Sequence, residues 1–275
     1  SFGGSINVRT QIQSDKRNIE VSQGLGSYST SKARIKYQSG KDLGENISLA
    51  FRVSTINSAS YRKFHESKQE GMFFAVEHRG KIFKNQFRAL VGYENTQLSW
   101  DGVPGFLNGE KQSDIDDLIK RRDSYKAFTD DFLQQIYSVN TFAKVSDKIS
   151  FRNVSYLVKG SGYYEVFKTG QDFYSYNLDI NNIMSDEIEK TKSTDLLRRK
   201  WIQNNYYGMV PMLTILDKNY RIDVGGEVRF YSGDHFGEAT QFSDPSLNAK
   251  FNNNWYRYYQ YLGNKNILTA FTRFI

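Results

Sequence analysis

The chain has 275 residues, a net charge of +7 and no cysteine, which excludes disulfide scaffolds, zinc-thiolate sites and thiol catalysis. The mean hydropathy is −0.62, and no apolar run approaches the ~18 residues of a membrane-spanning helix. Aromatic residues make up 15% of the chain and only 3 residues are proline, which favours a β-rich protein. The positive charge permits an anionic partner, but it is too small and too dispersed to indicate nucleic-acid binding.

Apolar and polar residues alternate along several segments, as they do in strands that have two different faces. Residues 33–38 show this pattern first, and residues 47–54 repeat it. It is clearest in residues 220–231, where one face is apolar and the other carries Arg221, Asp223, Glu227 and Arg229. Such strands suit a sheet that shows an apolar face to lipid and a polar face to water.

We predict about eleven strands, many of them near the ~9–11 residues that cross a bilayer when tilted. The predicted strands are residues 18–28, 31–39, 47–58, 69–79, 85–99, 132–145, 149–160, 197–216, 220–231, 255–262 and 267–275.

Short polar turns alternate with long polar connections along the chain, which is typical of a meander with tight turns at one end. The predicted turns are residues 40–46, 79–81, 146–148, 217–219 and 263–266. The predicted long connections are residues 100–130, 160–195 and 231–254. A soluble β-sandwich remains the alternative, in which the apolar stripes would be buried between two sheets.

No residue pattern indicates catalysis or a resident metal. The strongest metal candidate is Asp234-His235 with Glu238, but two carboxylates and one histidine on a predicted loop are more often solvated. No serine–histidine–aspartate arrangement has a supporting motif. We therefore expect a protein that is not an enzyme, with no catalytic residue, no metal site and no cofactor.

Two kinds of residue are candidates for ligand binding. Arg198, Arg199 and Lys200 beside Trp201 are suited to hold an anion by charge-assisted hydrogen bonds and stacking, although solvated charges at a strand boundary are the more common arrangement. Tyrosine and tryptophan cluster near predicted strand ends, at Tyr163-Tyr164, 206–207 and 255–261. Such rings favour a membrane interface, and a minority turned inward would form a stacking surface for a ligand.

Five segments resemble those of TonB-dependent outer-membrane receptors, and they occur in the family's order. Residues 1–10 (SFGGSINVRT) resemble the last strand of the plug domain. Residues 99–104 (SWDGVP) and 160–165 (GSGYYE) resemble loop motifs of the Bacteroidetes-type receptors. Residues 195–208 and 225–238 resemble later barrel segments.

The resemblance implies an all-β antiparallel meander that forms part of a 22-stranded transmembrane β-barrel. Residues 1–12 would be the C-terminal end of the plug, and residues 13–275 the first half of the barrel. The whole protein would lie in the outer membrane of a Gram-negative bacterium, in contact with its lipid. It would import a scarce large solute, most commonly an iron–siderophore complex, with cobalamin, haem and oligosaccharides as the alternatives. Energy would be delivered by TonB through a plug segment outside this chain.

In this interpretation the long loops and the lumen contribute ligand binding only. The loop candidates are Trp100, Asp101, Tyr163, Tyr164, Arg198, Arg199, Asp234 and His235. The lumen candidates are Arg34, Lys36, Arg52, Arg221, Glu227 and Arg229. Two other functions stay open at this point: a passive or adhesive outer-membrane barrel, and a soluble β-domain that binds carbohydrate.

Overall fold

The computed structural model describes residues 16–62, 65–97, 113, 116–117, 120, 129–178, 193–251 and 255–275. Within these residues the chain forms one antiparallel sheet of ten strands, in which each strand pairs with the next along the chain. The strands are β1 (Asn18–Gly26), β2 (Thr30–Gln38), β3 (Ile47–Ser58), β4 (Ser67–Arg79), β5 (Phe83–Gln97), β6 (Thr129–Lys144), β7 (Ile149–Asp172), β8 (Ser193–Leu216), β9 (Arg221–Phe242) and β10 (Tyr256–Phe274). The predicted all-β meander is confirmed.

Two short helical pieces lie in the connections near β8, β9 and β10. A 3₁₀ turn, Tyr174–Tyr176, follows β7, and the helix α1, Pro245–Lys250, follows β9. Asp244 caps α1 by accepting a hydrogen bond from the Ser246 amide, and Pro245 at the helix start needs no amide donor. In the part of the chain that the structure describes, no helix is long and apolar enough to cross a membrane.

The sequence prediction of a turn at residues 263–266 is wrong. These residues continue β10, where Gly263 faces Gly233 and Asn266 faces Phe230 in the pairing with β9. Glycine, asparagine and lysine favour turns locally, but a continuous hydrogen-bonded ladder along β9 overrides that preference. The two predicted strands at the end of the chain are therefore one strand of 19 residues.

The two long connections after β7 and β9 are shorter than the sequence predicted, because the strands beside them are longer. β7 runs to Asp172, β8 starts at Ser193 and β9 runs to Phe242, so these three strands have 24, 24 and 22 residues. The four predicted short turns before residue 220 are confirmed, and all of them lie at the same end of the meander. We call this the short-turn end and the opposite one the long-connection end.

The two faces of the sheet differ in composition, as the alternation predicts. One row of cross-strand partners is almost entirely apolar: Ile19, Tyr37, Phe51, Phe74, Ala89, Tyr137, Leu157, Tyr207 and Phe230. The neighbouring row on the other face is Gln38, Ala50, Ala75, Arg88, Ser138, Tyr156, Gly208 and Arg229. We call these the apolar face and the polar face.

Large side chains on the apolar face remain exposed. Ile35, Met209 and Val224 are between 45% and 48% exposed, and nothing in the described residues covers them. A β-sandwich would bury such side chains against a second sheet, but the described residues form only one sheet. The arrangement therefore does not support the soluble sandwich, since a contiguous exposed apolar surface requires a partner or a lipid environment.

A buried carboxylate joins three strands at the short-turn end. Asp223 of β9 is fully buried on the polar face and accepts hydrogen bonds from Thr214 Oγ1 (2.7 Å) and from Arg221 and Arg273 Nε (3.0 Å each). Nearby, Lys148 Nζ donates to Asp217 Oδ1 across two adjacent turns at 2.8 Å, and this hydrogen bond lowers the pKa of the Asp217 carboxyl. The contacts of Asp223 tie the ends of β8, β9 and β10 together, and the Lys148–Asp217 pair joins the turn before β7 to the turn after β8.

Glycine at position 162 is required by a close approach between β7 and β6. A Cβ at this position would overlap the Asp131 carbonyl oxygen and lie 2.7 Å from Phe132 Cα. We expect Gly162→Ala in the full-length protein to lower the free energy of unfolding by ~1–3 kcal/mol, because the backbone must shift. Denaturant unfolding measures this difference.

Gly92→Ala in β5 is the matched control, since a Cβ there would meet nothing within 4 Å. We expect this control to be neutral, or to stabilise by ~0.5–1 kcal/mol through the lower entropy of the unfolded chain. Equal losses at both glycines would contradict the packing of β6 against β7.

Candidate functional site

Six of the eight predicted binding residues lie within strands, which corrects the prediction that they belong to loops. Tyr163 and Tyr164 are in β7, Arg198 and Arg199 in β8, and Asp234 and His235 in β9. The prediction ended β7 at residue 160 and β9 at residue 231, which left Tyr163, Tyr164, Asp234 and His235 in loops. Arg198 and Arg199 already lay at the start of the predicted strand 197–216, and β8 extends four residues further back. The other two, Trp100 and Asp101, lie outside the described residues.

Each of these neighbouring pairs is divided between the two faces, because successive side chains in a strand point to opposite sides. Tyr163, Arg199 and Asp234 lie on the apolar face. Tyr164, Arg198 and His235 lie on the polar face. The predicted sites therefore separate into two chemically different places, and Asp234 and Glu238 do not share a face with His235.

On the apolar face, an aromatic ladder crosses the strands above the exposed apolar band. The Tyr163 and Trp201 rings are 4.5 Å apart, and Trp201 stacks on Phe236 at 5.5 Å. The Arg199 guanidinium lies 4.3 Å from the Tyr163 ring and 4.4 Å from Trp255. Such a cluster of polar-tipped rings matches the composition of a membrane–water boundary.

Arg199 already has charged and aromatic partners. Its Nε donates to Glu165 Oε2 at 2.6 Å, and both side chains are mostly buried. Arg257 repeats the arrangement, with its guanidinium 4.0 Å from the Phe236 ring and 2.9 Å from Glu238. The three cations of the predicted anion clamp are divided between the faces: Arg199 lies on the apolar face, whereas Arg198 and Lys200 lie on the polar face.

On the polar face, Arg198 supports a small core at the long-connection end. Arg198 Nη1 donates to Tyr176 Oη at 3.1 Å, and Tyr176 Oη donates to Gln171 Oε1 at 3.0 Å. This core packs the 3₁₀ turn and α1 against the ends of β8, β9 and β10. Its buried members are Phe173, Tyr176, Leu178, Leu196, Ala239, Phe242, Leu247 and Tyr258.

Next to this core, five side chains form what we call the tyrosine–histidine cluster: Tyr206, Tyr231, His235, Tyr259 and Tyr261. The Tyr206 and Tyr231 rings are 4.6 Å apart, and Tyr231 Oη lies 3.0 Å from His235 Nε2. His235 stacks on Tyr261 at 5.0 Å with an interplanar angle of 7°, and Tyr261 stacks on Tyr259 at 5.9 Å. The cluster offers flat rings for stacking together with phenol and imidazole groups for hydrogen bonding.

Basic side chains surround the cluster on the polar face. Lys265 is the cross-strand partner of Tyr231, and Lys200 is the partner of Gly237. Arg229 lies 3.5 Å from Glu227, which also accepts a hydrogen bond from Tyr156 Oη at 3.0 Å. The lumen candidates of the sequence analysis all lie on this face: Arg34, Lys36, Arg52, Arg221, Glu227 and Arg229. An anionic, aromatic or oxygen-rich ligand suits this surface.

Sequence reasoning identified His235 and placed Tyr206 and Tyr261 in aromatic clusters, but it did not connect them with His235 and did not single out Tyr231. One signal was present: in a strand, Tyr231, Gly233 and His235 must share a face. The pairing of Tyr231 with Tyr206 and the stacking of Tyr261 depend on the registers between strands.

No protein-family model and no curated protein matches the chain. Solved structures of import receptors do match it. The open form of the ferric-catecholate import receptor Fiu from E. coli K12 matches with a TM-score of 0.56 and 14% identity, over 85% of this chain and 36% of the receptor. Its closed form matches with a TM-score of 0.55 and 14% identity, over 84% of this chain and 33% of the receptor.

The siderophore receptor PiuA from Acinetobacter baumannii matches with a TM-score of 0.58 and 12% identity, over 96% of this chain and 40% of the receptor. At these identities the likeness concerns the fold. The chain has the fold of a section of these receptors and spans 33–40% of their length.

Proposed function

We propose that the chain is a section of a TonB-dependent outer-membrane receptor of the Bacteroidetes type that imports a ferric siderophore. The observation that carries this proposal is the division of one long-stranded meander into an exposed apolar face and a polar, basic face. Lipid would cover the first face and the second would line a water-filled lumen. The receptors with the same fold are described as importing ferric catecholates or binding siderophores, and a basic, tyrosine-rich lumen suits such anionic ligands.

In this proposal, residues 1–12 are the end of the plug, and residues 13–275 are the first half of a 22-stranded barrel. The polar face binds the ligand and breaks no bond. Energy for release into the periplasm comes from TonB, which acts on the plug. The long-connection end faces outward, and the core around Tyr176 and Tyr258 holds two connections over the lumen entrance.

Deletion of the gene for the full-length protein is the direct test. We expect the deletion strain to lose growth in iron-limited medium on at least one ferric siderophore, and the wild-type gene to restore it. Growth on haem, cobalamin and oligosaccharides provides the comparison. An unchanged growth profile on all ferric siderophores would contradict the proposal and favour a passive or adhesive barrel.

Arg198 and Arg199 provide an internal test, because they are adjacent but face opposite sides. We expect Arg198→Ala to weaken siderophore binding by about tenfold, which corresponds to the loss of one charge-assisted hydrogen bond. The lost bond would be one to the ligand or the one that Arg198 donates to Tyr176. Arg199→Ala is expected to leave the affinity unchanged, since its side chain lies on the apolar face with Glu165. Fluorescence quenching by ferric siderophores on the purified receptor measures both. Equal effects at the two positions would be evidence against a lumen on the polar face.

A further inference from the structure

Tyr231 and His235 form a hydrogen-bonded pair that bridges over a glycine. Both side chains lie on the polar face of β9, with Gly233 between them, and Tyr231 Oη is 3.0 Å from His235 Nε2. A Cβ on Gly233 would overlap the Tyr231 hydroxyl and lie 3.1 Å from His235 Nε2. Glycine at this position is therefore what allows the phenol and the imidazole to meet.

Neighbouring rings hold the pair in place. Tyr206 lies against Tyr231, with ring centroids 4.6 Å apart, and Tyr261 stacks almost parallel on His235. Tyr231 and His235 are each only partly buried, so a ligand in the lumen can reach them. The pair extends from the middle of β9 toward the long-connection end, from which the ligand of the proposed receptor would enter.

A phenol next to a base is suited to bind a hard trivalent cation. Phenolate is a strong oxygen donor for Fe(III), but tyrosine ordinarily keeps its proton at neutral pH because its pKa is near 10. When His235 carries its proton on Nδ1, its Nε2 is a hydrogen-bond acceptor placed to receive the phenol proton. The pair can therefore provide a phenolate when a cation replaces the proton.

One phenolate oxygen fills only one position of six-coordinate iron. Among the described residues there is no group of three or more histidine, cysteine, aspartate or glutamate side chains that would hold a bare metal ion. In this account the remaining positions belong to a chelator that arrives with the iron and leaves at least one position exchangeable. The basic residues Lys265 and Lys200 on the same face favour a complex with negative charge.

We infer that Tyr231 is a direct ligand of Fe(III) in the bound complex, with His235 as the proton acceptor. The inference rests on the proposed function and narrows its substrate class to ferric chelates with an exchangeable coordination position. In the binding step the Tyr231 O–H bond breaks and its proton passes to His235 Nε2. The phenolate oxygen then replaces a water on the iron, which remains Fe(III) throughout.

Ferric nitrilotriacetate, which leaves coordination positions open, is the probe. Added to the purified full-length receptor, it is expected to produce a visible phenolate-to-iron charge-transfer band and tyrosinate vibrations in the resonance Raman spectrum. Tyr231→Phe is expected to abolish the band and to weaken binding at least tenfold. His235→Gln keeps a polar side chain but loses the base, so we expect a weaker band that requires higher pH.

Tyr207→Phe is the matched control, because Tyr207 adjoins Tyr206 in the sequence but lies on the apolar face. It is expected to keep both the band and the affinity. Retention of heat-modifiable migration in each variant shows that the barrel is folded. If the wild-type receptor does not bind the probe, or binds it without the charge-transfer band, the inference is wrong. If the deletion strain still failed to grow on a ferric siderophore, the proposed function would stand without this inference. An unchanged growth profile of the deletion strain would contradict both.

Discussion

Arginine in place of Met209 is expected to lower the free energy of unfolding of the full-length protein by ~2–4 kcal/mol in a lipid bilayer. Met209 lies on the apolar face of β8 and is 48% exposed. It is central in the apolar run of this strand, between Tyr207 and Leu213. If lipid covers this face, the guanidinium must enter hydrocarbon or distort the bilayer, and both cost free energy.

The next residue, Val210, is a close control. It is 37% exposed but lies on the polar face, opposite Val154. Val210→Arg is expected to cost less than ~1 kcal/mol, because its side chain would enter a water-filled lumen. Urea titration of the protein folded into phospholipid vesicles measures both values. Similar costs at the two positions would mean that the two faces meet the same solvent, which is incompatible with a transmembrane barrel.

Alanine in place of Glu77 is expected to lower the free energy of unfolding by ~2–3 kcal/mol. Glu77 of β4 is buried on the polar face, with its side chain 4% exposed. It accepts hydrogen bonds from Arg79 Nε at 2.5 Å and Gln86 Nε2 at 2.8 Å, and Lys84 Nζ lies 3.3 Å away. Removing the carboxylate leaves several donors and two positive charges without their acceptor.

Glu70 lies on the same strand and serves as the control. It pairs with Lys68 at 3.0 Å, but both side chains are about half exposed. Glu70 and Lys68 lie on the apolar face but near the long-connection end of β4, where the proposed barrel meets water. Glu70→Ala is therefore expected to change the stability by less than ~0.5 kcal/mol, as is usual for ion pairs exposed to water. Denaturant unfolding of both variants in the same vesicles gives the comparison. An equal effect at Glu70 and Glu77 would contradict the buried network on the polar face.

The alternation of side chains was enough to predict which strands exist in the first half of the chain and which residues share a face. Residues 47–54 show why: Ile47, Leu49, Phe51 and Val53 need the same environment, and only an extended strand presents them together. The short turns were also predictable, because glycine, asparagine and aspartate between two alternating runs favour a reversal.

The ends of the long strands were not predictable, since beyond the apolar band the outward side chains become polar and the alternation disappears. Asp234 and Glu238 lie on the apolar face of β9, yet their sequence context resembles a loop. These residues stay in the strand because each backbone group pairs with β8 or β10. Backbone hydrogen bonds between strands produce no pattern in the hydrophobicity of the sequence, so the sequence could not reveal them.

The sequence by itself determined an all-β chain with one apolar and one polar face, because period-2 alternation is a local property of extended strands. The tertiary structure alone decided the register, and with it which side chains meet. Tyr206 lies against Tyr231, and Tyr261 covers His235, because the pairings of β8, β9 and β10 place them side by side. Contacts between strands depend on alignment, and a shift of two residues in one register would preserve both faces while dispersing the cluster.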